Sequence, residues 1–369
     1  MATPPRILVL SEIPTPYRLP LYRLLQETGR FAMDLVFLAE GEPDRPWVLT
    51  DELDGIPHRI LNGFTPTVRT RRNTFVYEVN PGIFKLLHET AWDAIVVGGY
   101  SVFAEQIAIA YARATGIPYV LHSESHLAKP RGGTLRAAKR AILPRIIGGA
   151  AAGLAAGTAA ARYLAEYGLD PGLIRIVPNT VDVDRYRRSA ALVRADPLAV
   201  RARWSLPEHY VLYAGRLVEA KGLLDLLAAL HRLGPEAPTV VVAGEGALRE
   251  TLAASDHIHL VGFQDEERLI ELYALSDAFV LPSHDEPWGV VVNEALACET
   301  PVIVSSAVGA AEDLVVSGRN GLVFPARDVD ALAAALSGPY PSATGGRIDR
   351  WTHEFAVEQF TEGLSLALR

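Results

Sequence analysis

The 369-residue sequence contains a single cysteine, Cys298, and two methionines. One thiol excludes an internal disulfide and the disulfide-stapled secreted scaffolds. Long apolar runs are also missing. The longest uncharged stretch is the 16 residues between Arg145 and Arg162, mostly alanine and glycine, whereas a bilayer-spanning helix needs about 20 apolar residues. It reads as a helix end followed by a buried strand. Residues 1–14 lack the basic region and long apolar core of an export signal. Excess positive charge is absent too. The net charge of −8 argues against general nucleic-acid binding, which needs a basic surface. No His/Cys/Asp/Glu cluster has metal-ligand spacing. These absences lead to the expectation of a cytoplasmic globular protein with no resident metal or cofactor.

What is present is an alternation of short β-branched runs with helical segments, the pattern of parallel-sheet α/β architecture. Strands are expected at Arg6 to Leu10, Met33 to Ala39, Ala94 to Val97, Tyr119 to His122, Gly153 to Ala156 and Arg175 to Val177. In the second half they are expected at Tyr210 to Ala214, Thr239 to Ala243, His257 to Val261, Ala278 to Leu281, Val302 to Val304 and Gly321 to Phe324. The charged, Ala/Arg-rich stretch from Asp182 to Arg203 lacks strand signals and follows a Pro178-Asn179 turn. It separates a first domain, 1–186, from a second, 187–349. An amphipathic segment, 350–369, follows a Gly/Pro/Ser-rich break. Ligands of open parallel sheets sit beyond the carboxyl ends of the strands, so two such sheets facing each other make a cleft with one ligand held by each. Charge is uneven as well. Between Glu124 and Glu166 there is no acidic residue, while Lys129, Arg131, Arg136, Lys139, Arg140, Arg145 and Arg162 are basic. Residues 129–145 read either as a solvated helix face or as a peripheral contact with anionic lipid.

The densest chemistry lies between Pro282 and Asp313. Glu286 follows the strand Ala278 to Leu281 in a Pro-bounded loop, and Glu294 lies beyond it, with seven residues between the two, inside a helix beginning near Gly289. The helical neighbours of Glu294 at three and four residues are Val290, Val291, Ala297 and Cys298. A carboxylate on such an apolar face is unfavourable unless hydrogen-bonded, by a ligand hydroxyl or by a buried protein group. Upstream, Gly215-Arg216 follows a strand and Lys221-Gly222 opens the next helix. Two cations at a helix N-terminus suit a phosphate group.

Three ordered blocks carry a family resemblance. They are Gly215-Arg216 with Lys221-Gly222, then Gly262-Phe263 through Tyr273 and Asp277, then Pro282-Ser283, Glu286, Gly289, Glu294-Ala295, Pro301-Val302, Gly309 and Glu312. Together they resemble the donor site of the family-four retaining glycosyltransferases, which have the GT-B fold. The resemblance covers most of the second half; the first half matches only in its strand-helix rhythm. It implies two Rossmann-like domains facing a cleft, with the C-terminal helix crossing back to the first domain. It also implies a hexosyltransferase-type activity that moves a sugar from a UDP- or GDP-sugar to a hydroxyl acceptor, without metal and with retention.

Carried over residue by residue, Glu294 binds the ribose hydroxyls, Glu286 faces the transferred sugar, and Arg216 and Lys221 meet the diphosphate beside Gly215. The amides of Gly289 and Val290 point at the donor, and Phe263 lies near the base. Trp288 stands where phenylalanine is more usual and reshapes the sugar pocket. His122, at a first-domain strand end, is assigned to the donor sugar by resemblance, against a structural histidine. Tyr17, Arg18 and Glu124 are acceptor-side candidates, although Ser11 to Arg18 lacks the glycine pair of many relatives. Asp182-Val183-Asp184 imitates a metal motif, but it falls in a turn resembling the linker of a family that neutralises phosphate with Arg and Lys. The base, the sugar and the acceptor (polysaccharide, lipid-linked or small molecule) stay open. A hydrolase or epimerase on the same frame and a non-catalytic bilobed binding protein are the alternatives.

Overall fold

Strands covered by helices on both faces need apolar side chains in both directions, which is why these runs are short and almost uninterrupted in Val, Ile, Leu and Ala. In the computed structural model, residues 3–41, 53, 55–64, 67–69, 74–76, 79–127, 141–343 and 347–369 are described. The chain forms two compact units, Met1–Asn179 with His353–Arg369, and Thr180–Thr352.

The first unit holds a seven-stranded parallel sheet in the order β3-β2-β1-β6-β7-β8-β9. The strands are β1 (Arg6–Ser11), β2 (Ala32–Phe37), β3 (His58–Ile60), β6 (Ala94–Val97), β7 (Tyr119–Ser123), β8 (Ala152–Ala155) and β9 (Ile174–Ile176). A separate antiparallel hairpin joins β4 (Thr67–Arg69) and β5 (Thr74–Val76). Alternate residues of one strand feed opposite cores. Leu8 and Leu10 pack with Ile95 and Val97 under the helices Ile83–His88 and Phe103–Thr115. Ile7 and Val9 pack with Phe37 and Val96 under the helix Leu19–Glu27 and the final helix His353–Ala367, which contributes Ala356, Phe360 and Leu364, all fully buried.

The second unit has six parallel strands in the order β12-β11-β10-β13-β14-β15. They are β10 (Val211–Ala214), β11 (Val240–Ala243), β12 (Ile258–Gly262), β13 (Ala278–Leu281), β14 (Val302–Ser305) and β15 (Gly321–Phe324). Strand order reverses between β10 and β13, which pair through Val211 with Ala278 and Leu212 with Phe279. Such a reversal splays the loops at the carboxyl ends of the two strands and leaves a crevice for a ligand.

The stretch Asp182 to Arg203 holds two helices, Val183–Ala195 and Pro197–Trp204. Asp182 caps the first through Arg185 N at 2.9 Å. That helix packs on the helices Glu266–Leu275 and Val290–Ala297, so 180–186 groups with the second unit. The basic run is described only from residue 141 onward, because 128–140 lie outside the described residues. Arg145 is exposed, with Nη1 donating to Ala141 O at 2.6 Å. No helix among the described residues is long and apolar enough to cross a membrane.

Candidate functional site

The loops leaving β10 and β13 meet at the order reversal. Gly215 N donates to Ala243 O at 2.9 Å, one last bond to β11 at the end of β10. The loop then runs through Arg216 to Lys221. Gly222 is left-handed at φ +72°, and a Cβ there would lie 1.9 Å from Pro282 O, so only glycine allows the β13 loop to come this close. His284 N donates to Ala220 O at 2.8 Å and fixes the register of the two loops.

This packing brings Lys221 to Glu286. The Lys221 ammonium donates to Glu286 Oε2, with 16% and 12% of the two side chains exposed. Ser283 Oγ also donates to Glu286 Oε2, at 3.4 Å. The backbone of Glu286 is held by the loop after β14: its N donates to Ala307 O at 3.2 Å, and Gly309 N donates to its carbonyl at 2.9 Å. Arg216 is half-buried, and its carbonyl accepts from the Tyr213 hydroxyl at 2.8 Å. Burial first, then the Glu286 carboxylate, pushes the Tyr213 phenol up, while Arg216 pulls it down. Lys221 and Glu286 therefore pair beside the end of β10, the strand that Arg216 follows.

Gly289, at φ +90°, starts the helix Val290–Ala297, and a Cβ there would press on Glu286, Leu281 and Val308 at 3.1 to 3.2 Å. The start of this helix thus lies against the Glu286 side chain, with Val290 half-buried in its first turn. Glu294, on the same helix, is half-buried, and its Oε2 accepts from the Tyr273 hydroxyl at 2.9 Å. The buried partner required by a carboxylate on this apolar face is thus a phenol. Burial pushes the Glu294 carboxyl up to about 7; the Tyr273 hydrogen bond offsets part of that, and Glu266 adds to it.

The remaining second-unit residues divide by exposure. Phe263, just past β12, is 47% exposed and presents an open aromatic face. Trp288 is turned inward at 3% exposure. Its Nε1 donates to Asn293 Oδ1 at 3.0 Å, and its ring stacks on Trp351 at 5.3 Å, so the indole is occupied by protein contacts. Asp184, next to the capping Asp182, lies 3.6 Å from Arg187 Nη1.

In the first unit, Arg18, Glu124 and Asn179 come together after β1, β7 and β9. The Arg18 guanidinium donates to Glu124 Oε1 and, through Nε, to Asn179 Oδ1 at 3.1 Å; Asn179 Nδ2 donates to Glu124 Oε1 at 2.8 Å. Burial works against the Arg18 charge, but Glu124, Tyr22, Tyr17 and Glu12 outweigh it and raise the guanidinium pKa. Tyr17 is half-buried beside it. His122, in β7, is 3% exposed and edge-on to Phe360 at 6.2 Å. Burial, and then the Arg18 charge, hold its imidazole well below the usual histidine range, so it is neutral at pH 7. Its Nε2 is buried with no hydrogen-bond partner among the described residues.

Sequence reasoning missed Asn179, His284 and Asp225. His284 Nε2 lies 2.7 Å from Asp225 Oδ2 beside Lys221 and Glu286. The only signal in the sequence was an imidazole directly after the Pro282-Ser283 strand end.

Residues 14–180 match the family described as a glycosyl transferase 4-like domain, and residues 200–337 match glycosyl transferases group 1. The D-inositol 3-phosphate glycosyltransferase of Frankia alni is 32% identical over 292 residues, covering 70% of this chain and 67% of that protein. The glycogen synthase of Mycobacterium tuberculosis is 36% identical over 177 residues, 45% of this chain and 40% of that protein, so the chain spans about two fifths of that relative. Anabaena HepE, solved in complex with UDP and glucose, superposes with a TM-score of 0.68 at 20% identity, over 97% of this chain and 99% of its own. With two parallel-sheet α/β domains and these matches, the chain belongs to the family-four glycosyltransferases of the GT-B fold.

Proposed function

We propose that the protein is a retaining glycosyltransferase that takes a hexose from a UDP- or GDP-sugar and passes it to a hydroxyl acceptor, with protein cations in place of a metal. The observation that carries this reading is the pairing of Lys221 with Glu286 where the loops leaving β10 and β13 meet, with Arg216 in the same β10 loop. A leaving diphosphate gains negative charge as the glycosidic bond breaks, and fixed cations at that place stabilise the transition state more than the ground state. UDP bound to the HepE fold agrees with this reading.

The pairing of Lys221 with Glu286 sets how the two groups are used. Glu286 holds the Lys221 ammonium until a donor arrives. A diphosphate carries more charge than one carboxylate, so it draws Lys221 away, and Glu286 turns to a ring hydroxyl of the sugar and to the positive charge of an oxocarbenium-like transition state. Glu294, as an ionised acceptor of two hydrogen bonds, holds the ribose diol. The amides at Gly289 and Val290 face the donor, and Phe263 offers a surface for the base. The acceptor hydroxyl attacks from the face that the phosphate leaves, and a phosphate oxygen takes its proton. On the acceptor side stand Tyr17, Arg18 and Glu124. The Arg18 charge is already matched by Glu124, which favours a neutral hydroxyl compound there. His122, neutral and with a buried Nε2 that has no partner among the described residues, has one hydrogen bond left to make with a sugar. A lipid-linked acceptor would give the basic run 129–145 a role at a membrane surface.

A thermal-shift panel with UDP, GDP, ADP and TDP tests the donor. One diphosphate at a hundred times its Kd is expected to stabilise the protein by about 2.7 kcal/mol, a rise of several degrees, and the selective one names the base. No rise with any of the four at millimolar concentration overturns the reading.

A further inference from the structure

The loops after β10 and β13 are laced at four points. Two are backbone contacts, His284 N to Ala220 O at 2.8 Å and the packing of Gly222 on Pro282 O. The third is Lys221 to Glu286. The fourth is His284 to Asp225, at 2.7 Å, with 15% and 24% of the side chains exposed. A carboxylate only accepts, so the facing Nε2 carries the proton. Asp225 sits in the first turn of the helix Leu223–Leu233, where the helix dipole favours a negative charge and four backbone amides lack helical partners. The His284 ring also lies against Gly222, its Cδ2 3.4 Å from where a Cβ would stand. The imidazole thus clips the β13 loop onto the helix whose entry carries Lys221.

These ties differ in what donor binding does to them. On the proposed function, on which this step rests, the diphosphate draws Lys221 away from Glu286. The third tie is then lost at the moment both side chains must be correctly placed. The His284–Asp225 bond involves neither group and persists. We infer that His284 and Asp225 are positioning residues for the donor: their hydrogen bond keeps the β13 loop docked on the Lys221 loop once Lys221 has turned to phosphate. Neither residue touches the donor itself. Their effect passes through the register of Lys221 and Glu286.

The test measures the affinity of whichever of UDP, GDP, ADP or TDP binds the wild type, by calorimetric titration. The variants are His284→Ala, Asp225→Ala, the double variant and His284→Gln. A hydrogen bond to a charged group is worth about one order of magnitude in affinity or more. Each alanine variant is expected to bind about tenfold more weakly, with the double variant no weaker than either single one, as one shared interaction requires. Glutamine places an N–H near the position of the imidazole Nε2 and is expected to bind within about threefold of wild type. Unliganded melting is expected to move by only a few degrees. The inference is overturned if either alanine variant binds like wild type, if the two losses add, or if glutamine fails to rescue. It is equally overturned if affinity falls only in step with a collapse of unliganded melting, since that is what a purely structural pair would do. Failure of every diphosphate to bind the wild type sinks the proposed function instead, and so separates the two.

Discussion

Replacing Glu286 with glutamine is expected to slow sugar transfer by about a hundredfold or more, while affinity for the selected nucleoside diphosphate stays within about threefold of wild type or improves. The split follows from the two roles of this carboxylate. Glu286 pairs with Lys221, the group assigned to phosphate, and so competes with phosphate for it. Weakening that competitor leaves the ammonium more available to the nucleotide. On the proposed function, the lost negative charge is the one that stabilises positive charge at the sugar in the transition state, and an amide of the same shape does not replace it. Transfer rates and calorimetric titration on the same preparation separate the two effects. Equal loss of both would remove Glu286 from its assigned place, and full activity would remove it from the chemistry.

Glu294→Gln is expected to do the reverse to the fold: it loses the nucleotide and gains stability. Burial raises the Glu294 carboxyl from the ordinary 4.5 to about 7. A folded-state pKa above the unfolded one means that the native protein binds the extra proton between those two values. Stability from this group is complete below the unfolded pKa and is lost as pH rises toward 7. By pH 8 the ionised, half-buried carboxylate costs at most about 3 kcal/mol. Glutamine keeps an acceptor for the Tyr273 hydroxyl without the charge. The variant should therefore melt higher than wild type at pH 8, and the gap should close toward pH 5.

On the proposed function, nucleotide binding depends on the charge that glutamine removes. An ionised carboxylate offers two acceptors to a ribose diol, whereas the amide offers one. Nucleotide affinity of the variant is expected to fall about tenfold or more. For the wild type, affinity should rise about tenfold between pH 6 and pH 8 as Glu294 ionises. The variant, measured in parallel, removes the diphosphate's own titration from the comparison. A variant that binds nucleotide like wild type, or that melts lower at pH 8, contradicts the assignment.

Both effects fall on residues that the sequence singled out, and the reason is local. β13 and β15 were readable to the residue, because short apolar runs between turn residues are what a doubly covered parallel strand must be. The helices Val183–Ala195 and Pro197–Trp204 were read as a boundary, since their exposed, arginine-rich faces leave little apolar period. β3, β4 and β5, at three residues each, carry too little pattern to be recognised. Glu294 was legible as a carboxylate needing a partner, but its phenol comes from Tyr273, 21 positions away. Lys221 and Glu286 were each named from ordered motifs, yet their pairing spans 65 positions and exists only because β10 and β13 are neighbours. The same holds for His284 and Asp225, 59 apart. Trp288, assigned to the sugar pocket by its place in the motif, is buried and stacked on Trp351. Motif spacing names a loop; which way a large ring points is decided by the packing around it.

On the proposed function, a guanidinium and an ammonium from the loop after β10 hold the donor's diphosphate. Titration of the selected nucleoside diphosphate into wild type, Arg216→Ala and Lys221→Ala tests it most directly. The wild type is expected to bind, and each variant about tenfold more weakly or worse, as for a lost charge-assisted phosphate contact. Undiminished binding in both variants would contradict the claim.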